Sequence, residues 1–354
     1  MNQAIVKNIM DRICKLCNNH IADKTGSHIV PHFLLKRIEN EEGKTGRGNE
    51  LGFVIKTGDT FSYFGREVSP EKLEEVYGDL TEEEIEANSH PLIIDHIFCS
   101  QCERKLGVIE EKYSQTLNLK SNNNYSSGVQ SALGLLFWAS IIWRLSISGN
   151  GGMRLSDPQN ERLREMLFKI LKTDFKEMDL TILKKMKSAK GITYKLIRSP
   201  DYSKSSPTFL HFYPDSKYPY TLIIWEYILF FSFSDNYTHF LKDKFFGIQN
   251  QIFAASTNKP AGDEELIFYL PIDVMKRFNN GLIEFIKNIR VDSIFSKLDA
   301  LHVKLGGNGT SMPDIIKKEI MQEITSDEKK IGRAQTAEDL AASSIKVLQK
   351  YIRK

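Results

Sequence analysis

Apolar positions along the chain change period in a way that separates helices from strands. In residues 102–113, Leu106, Ile109 and Tyr113 fall three and four apart, which predicts a helix. The opening residues 1–14 predict a short amphipathic helix, residues 51–56 a strand, and the acid-rich run 70–87 a helical segment with a solvent or partner face. Residues 130–146 are apolar on every side, the pattern of a buried core helix, and Arg144 near its end then needs a carboxylate or water. Strand character follows at 192–197, 208–213, 220–233 and 264–270, with 220–233 read as two strands or one buried central strand. Helical spacing returns at 272–289, 313–324 and 337–352. The alternation is that of an α+β protein.

Polar, turn-forming residues at 121–129 carry no periodicity and read as a linker or exposed loop. They divide the chain into residues 1–120, with an insertion at 39–88, and a larger α+β domain at 130–354 whose role is partner binding, regulation or target choice. Its glycine clusters, Gly149-Asn-Gly-Gly152 and Gly306-Gly-Asn-Gly309, are loop signals.

The chain has 354 residues, of which 41% are hydrophobic and 10% aromatic, enough for a substantial core. Its 48 Lys and Arg nearly balance 45 Asp and Glu, so a nucleic-acid partner requires a local basic face rather than bulk charge. The N-terminus lacks a signal-peptide pattern, and the apolar runs are shorter than the roughly 20 residues of a membrane span. A cytoplasmic protein with no membrane association is expected.

All four cysteines fall into two Cys-x-x-Cys pairs, Cys14/Cys17 and Cys99/Cys102. A two-residue gap lets a tight turn point both sulfurs at one ion, so the spacing predicts one structural zinc site. Disulfides and redox chemistry are the alternatives, the first unusual in a reducing compartment and the second needing only one pair. A helix starting at the second pair would place backbone N–H groups against thiolate charge, as in the second knuckle of a treble-clef finger.

Between the pairs stands Gly26-Ser-His-Ile-Val-Pro-His32, and the second pair reads Cys99-Ser-Gln-Cys102-Glu103. Together these motifs resemble the HNH (His-Me finger) endonucleases, and more narrowly uncharacterised bacterial members with Ser-His-Ile-Ile-Pro and Cys-x-x-Cys-Glu. The resemblance covers roughly residues 10–115. It implies a ββα finger in which His28 is the general base for phosphodiester hydrolysis, a task suited to a side chain that is partly neutral at pH 7. It also implies a divalent ion, Mg2+ or Mn2+ or a similar metal, polarising the phosphoryl group. Glu103 stands where that family commonly has a metal ligand. Ser27 replaces the usual ligating Asp or His, and the family's asparagine has no clean match, Asp95 and His96 lying nearest. Successive strand residues face opposite ways, so only one of those two could reach the site. His32 follows Pro31 and is a weaker candidate. The resemblance suggests an endonuclease acting on DNA ahead of RNA, of the kind found in bacterial defence against phage. The alternative is an inactive zinc module that binds nucleic acid or a partner protein.

The glycine-rich, basic stretch 43–48 lacks the flanking strand and helix of a P-loop. Lys44 and Arg47 are candidate phosphate contacts, or part of a solvated loop. A partner protein or regulatory ligand is expected to engage the C-terminal domain.

Overall fold

The computed structural model describes residues 13–35, 46–56, 59–77, 80–86, 88–117, 122–128, 130–149, 153–170, 178, 180–200, 202, 210–212, 219–234, 245–331 and 337–352. The helix expected at the N-terminus and Lys44 lie outside them. In chain order the elements are β1 (Ser27–His28), α1 (His32–Leu35), β2 (Leu51–Lys56), β3 (Asp59–Phe64), α2 (Pro70–Tyr77), α3 (Glu82–Glu86), β4 (Ile93–Ile94), α4 (Ser100–Ser114), β5 (Tyr125–Ser126), α5 (Ser131–Ser148), α6 (Asp157–Ile170) and α7 (Thr181–Lys185). They continue with β6 (Thr193–Arg198), β7 (Leu210–Phe212), β8 (Tyr220–Ile224), β9 (Tyr227–Ser232), α8 (Gln249–Ala254), β10 (Leu266–Tyr269), α9 (Ile272–Lys304), α10 (Asp314–Ile331) and α11 (Ala337–Ile352).

Two compact units result, one from residues 1–46 and 91–279, the other from 47–90 and 280–354. In the first, six strands pair in the order β5-β10-β6-β9-β8-β7. β10 runs parallel to β6, and the other neighbours are antiparallel. Trp225 and Glu226 form a two-residue turn between Ile224 and Tyr227, so the run at 220–233 is two buried strands. Trp225 has φ 53°, a left-handed value costly for a bulky side chain. Tyr125–Ser126 pairs with Leu266 and Ile267, so the polar stretch at 121–129 is not wholly a loop. Two residues are too few for periodicity to reveal.

α5 passes the length and hydropathy test for a membrane span, yet 83% of its apolar window is buried inside the protein, which makes it the core helix its pattern predicts. Phe98 packs against its Trp143, Phe33 against its Phe137, and Tyr113 of α4 stacks on Phe137 at 4.0 Å. The cysteine knuckles therefore share one hydrophobic core with the sheet. This corrects the expectation of a discrete N-terminal finger domain. The strands β1 and β4 hold two residues each and bury little apolar surface of their own.

Buried polar groups complete this core. Glu265, fully buried, accepts hydrogen bonds from Tyr113 Oη at 3.0 Å and Tyr194 Oη at 2.7 Å, while Trp138 Nε1 donates to Tyr113 Oη at 3.0 Å. Arg198 and Glu226 form an ion pair at 2.6 Å with no exposed side-chain surface, and Arg198 Nη1 also donates to Tyr125 Oη.

In the second unit, β2 and β3 form an antiparallel hairpin. Asn88 exchanges two hydrogen bonds with the Phe64 backbone at 3.1 and 2.9 Å, and His90 pairs with Glu50 at 2.7 Å. The acidic run divides into α2 and α3. Ser69 Oγ accepts from Lys72 N at 3.3 Å and Pro70 takes the first helical position, both ordinary helix-start devices. α9 extends to Lys304, well beyond the expected 289, and α10 and α11 enclose a small core around Leu298, Ile320 and Val347.

Candidate metal centre

The two Cys-x-x-Cys pairs converge as the spacing predicts. Residues 14–20 turn back on themselves through Cys14 N donating to His20 O at 2.8 Å and Asn18 N to Cys14 O at 2.9 Å. Asn18 takes the left-handed φ of 52° that asparagine tolerates in such a turn. The second pair opens α4, with Cys99 at the N-cap and Cys102 N donating to Cys99 Sγ at 3.4 Å. Asp23 fixes that helix start by accepting from Ser100 N at 2.7 Å, which holds the Asp23 carboxyl below its usual range. Lys15 N donates to Ile97 O at 2.9 Å and ties the two knuckles together.

The four sulfurs all lie within 4.8 Å of one another. A tetrahedron with Zn–S bonds of about 2.3 Å has edges of about 3.8 Å, so one zinc ion fits with small adjustment. The cluster favours the thiolate at Cys14 and the thiol at Cys99 and Cys102. The hydrogen bond from Cys102 holds the Cys14 thiol down to about 4 against its burial, with backbone N–H groups of Cys17, Cys99 and Leu16 assisting. Cys102 is pushed up by making that bond and by burial. His20 Nδ1 stands 3.9 Å from both Cys17 Sγ and Cys99 Sγ, and Arg164 Nη1 of α6 donates to Leu16 O at 3.0 Å. The Arg164 contact was not legible beforehand, since nothing in the sequence links α6 to the first knuckle, whereas His20 stands only three residues after Cys17.

The motif residues beside the knuckles are arranged as follows. Ser27 and His28 of β1 pair with Ile94 and Ile93 of β4, and α4 follows. Glu103, in the first turn of α4, is half-buried and its carboxyl pKa is raised, chiefly by desolvation, with Arg144 and Ser27 opposing and Glu110 assisting. Ser27 and Glu103 thus face each other, with the half-buried His28 next in the strand. Asp95 and His96 do not join them. Asp95 Oδ1 accepts from Gly26 N at 2.6 Å, and His96, at φ 59°, directs Nδ1 to Ala22 O at 3.1 Å. Both brace the loops leading into the second knuckle, and both are exposed. His32 opens α1 and is exposed, while Arg47 starts a 3-10 turn in the other unit.

Arg144 finds the partners that its apolar helix demanded. Its Nη1 donates to His28 O and its Nη2 to Glu110 Oε1, each at 2.6 Å. Among the described residues, the four cysteines are the single group of three or more His, Cys, Asp or Glu side chains that could share a metal ion. Among the described residues, Glu103, Asp95 and His96 form no such group, and no separate catalytic Mg2+ or Mn2+ site is in evidence.

Comparison of the chain with protein-family models, with curated proteins and with solved structures finds no match. The chain is therefore characterised by its α+β fold and its four-cysteine cluster, which can hold a structural zinc ion.

Proposed function

We propose that this protein is a zinc-scaffolded binding module, of treble-clef, HNH-like architecture, that has lost the cutting chemistry and retains the binding surface. The observation that carries this reading is the use of Asp95 and His96. The side chains nearest the family's missing ligand hold Gly26 N and Ala22 O instead of turning toward Glu103. With Ser27 in place of the usual ligand, Glu103 belongs, among the described residues, to no group of three or more His, Cys, Asp or Glu side chains that could share a metal ion. A closed four-cysteine site has no open coordination position, so the zinc itself would do no hydrolysis.

Nucleic acid is the partner we favour, DNA ahead of RNA on the HNH resemblance alone. Lys15, His20, Lys24 and Arg104 are exposed on the knuckles and the start of α4, beside the exposed carboxylates Asp23 and Asp95, and are the candidate phosphate contacts on a chain of nearly balanced charge. Binding there would be dominated by phosphates and strongly salt-dependent. Fluorescence anisotropy of zinc-loaded protein with labelled duplex DNA, single strands and RNA tests this. Each of Lys15→Glu and Lys24→Glu should weaken binding and reduce the log–log salt slope by about 0.9 or more. Absence of binding to all three at low salt would leave a partner protein as the reading.

The endonuclease reading keeps one supporting feature, the motif position of His28 in β1, next to Ser27 and ahead of α4. Incubation of plasmid with Mg2+, Mn2+ or Ni2+ distinguishes it. Nicking that disappears in His28→Ala would overturn the non-cutting module.

A further inference from the structure

His20 stands beside the cysteine cluster as a fifth donor. Residues 14–20 form one tight turn, closed by the bridge between Ile13 and Ile21 and by Cys14 N donating to His20 O at 2.8 Å, so the His20 backbone is fixed at the knuckle. Its Nδ1 lies 3.9 Å from both Cys17 Sγ and Cys99 Sγ. A tetrahedral zinc ion with Zn–S bonds of about 2.3 Å and a Zn–N bond of about 2.0 Å sets its ligand atoms about 3.5 Å apart. His20 is therefore near ligand-to-ligand distance from two of the four sulfurs. It does not belong to the group whose donor atoms all lie within 4.8 Å of one another, so its ring stands off the Cys17–Cys99 edge rather than inside the tetrahedron. The sulfurs differ in shelter, because Cys14, Cys99 and Cys102 are buried and Cys17 is partly exposed. Cys99 is held further as the N-cap of α4, its Sγ accepting from Cys102 N.

We propose, on the zinc reading of the four cysteines, that His20 is a reserve ligand for Cys17 and takes over its coordination position when that sulfur is lost. Imidazole is as good a zinc ligand as thiolate, and three cysteines with one histidine close a tetrahedral site as fully as four cysteines do. The exchange replaces an anionic donor by a neutral one, which relieves the negative charge of four thiolates around one divalent ion. Cys17 is the position that His20 fits, since the two lie three residues apart on the same turn and both reach the surface. The exposure that lets a reagent attack Cys17 also gives the His20 ring room to turn. At Cys99 the sulfur also caps α4 by accepting a backbone N–H, which an imidazole arriving from residue 20 would not replace. A hydrogen bond from the ring to the two sulfurs is the other use of this geometry, and 3.9 Å is long for one.

The test loads the full chain with Co2+ and reads the visible spectrum, in which charge transfer reports the number of sulfurs and the ligand-field bands shift when nitrogen replaces sulfur. Zn2+ affinity is measured beside it by competition with a chelator. Wild type and His20→Ala are expected to share one four-sulfur spectrum and one affinity. Cys17→Ala is expected to bind one Co2+ per chain with a spectrum of three sulfurs and one nitrogen. Cys17→Ala/His20→Ala should bind Zn2+ at least about tenfold more weakly than Cys17→Ala, since even an outer partner of a metal ligand is worth that much. A nitrogen ligand in wild type would overturn the proposal, making His20 a resident ligand. Equal Zn2+ affinity of Cys17→Ala and Cys17→Ala/His20→Ala would overturn it too. If Cys17→Ala does not fold, alkylation of the folded, zinc-loaded chain with N-ethylmaleimide decides. The Cys17 sulfur adds to one carbon of the maleimide double bond and water protonates the other, so that ligand is lost without refolding. Chains alkylated once, at Cys17 by mass spectrometry, should keep zinc in wild type and release it in His20→Ala; equal retention or equal loss overturns the assignment. Wild type that takes up neither metal would remove the zinc reading itself, a failure distinct from any difference among the variants.

Discussion

Gly134→Ala should destabilise the first unit by about 3 kcal/mol, although alanine is the better helix former. Gly134 lies inside α5, and a Cβ built there would stand 2.2 Å from Tyr194 Oη and 2.3 Å from Glu265 Oε1. Helix propensity favours the variant by about 1 kcal/mol. Against that, inserting a methyl into a packed core costs about 1–3 kcal/mol. Pushing Tyr194 or Glu265 aside also breaks a hydrogen bond to a buried carboxylate, costing a further ~1.5–3 kcal/mol. Neither atom has room to give way, because Tyr194 Oη is anchored on Glu265 at 2.7 Å and Glu265 is held again by Tyr113. Urea unfolding of zinc-saturated wild type and variant, followed by tryptophan fluorescence, gives the difference directly. Tyr194→Phe should lose less and should couple with Gly134→Ala in a double-mutant cycle, since it removes one of the two clashing atoms. Equal or greater stability of Gly134→Ala would refute the close approach of α5 to the Glu265 cluster.

Zinc removal, by chelation or by Cys99→Ser, should abolish the near-UV circular dichroism of the Tyr113/Phe137/Trp138 cluster together with zinc binding, because α4 runs unbroken from the second knuckle into that cluster. An aromatic signal that survives metal loss would show that the knuckles unfold on their own. Arg198→Met should cost about 3–5 kcal/mol in the same urea assay by leaving the Glu226 carboxylate buried and uncompensated, and Arg198→Met/Glu226→Leu should recover part of it. Glu265 has its carboxyl pKa raised by desolvation, with Tyr194 and Tyr113 opposing. A raised folded-state value means stability falls as pH climbs from the unfolded carboxylate value near ~4.3 through the folded one. Glu265→Gln should therefore gain on wild type as pH rises above the unfolded carboxylate value, and a pH-independent difference would contradict that burial.

Legibility in the sequence followed the reach of each signal. The cysteine cluster could be read because two identical spacings with no thiol left over admit few structures, and α5 because an all-apolar helix has nowhere to go but the core. The strands at 193–198 and 266–269 were visible as apolar runs, whereas their parallel pairing, and Tyr125–Ser126 beside them, depend on backbone hydrogen bonds between segments far apart in sequence. α6 escaped notice because Leu163, Met166, Leu167 and Ile170 occupy its last turns, after a polar start with little periodicity. At the metal centre, the motif named Ser27, His28 and Glu103 as neighbours. It could not say what Asp95 and His96 do, because a side chain that braces a loop and one that ligates an ion have the same letters.

Arg144 illustrates why a motif and its chemistry can part company. The Ser-His of β1 and the Cys-x-x-Cys-Glu of α4 lie within local segments that the knuckles bring together, so their juxtaposition needs only the zinc fold. The charge between them comes from α5, more than thirty positions beyond Glu110, through hydrogen bonds to His28 O and Glu110 Oε1. A finger that functioned as an independent domain would have no such visitor. By merging its core with the sheet, this chain brings a buried arginine to the His28 carbonyl and the Glu110 carboxylate, so the shared core that stabilises the small finger also ties β1 to α4.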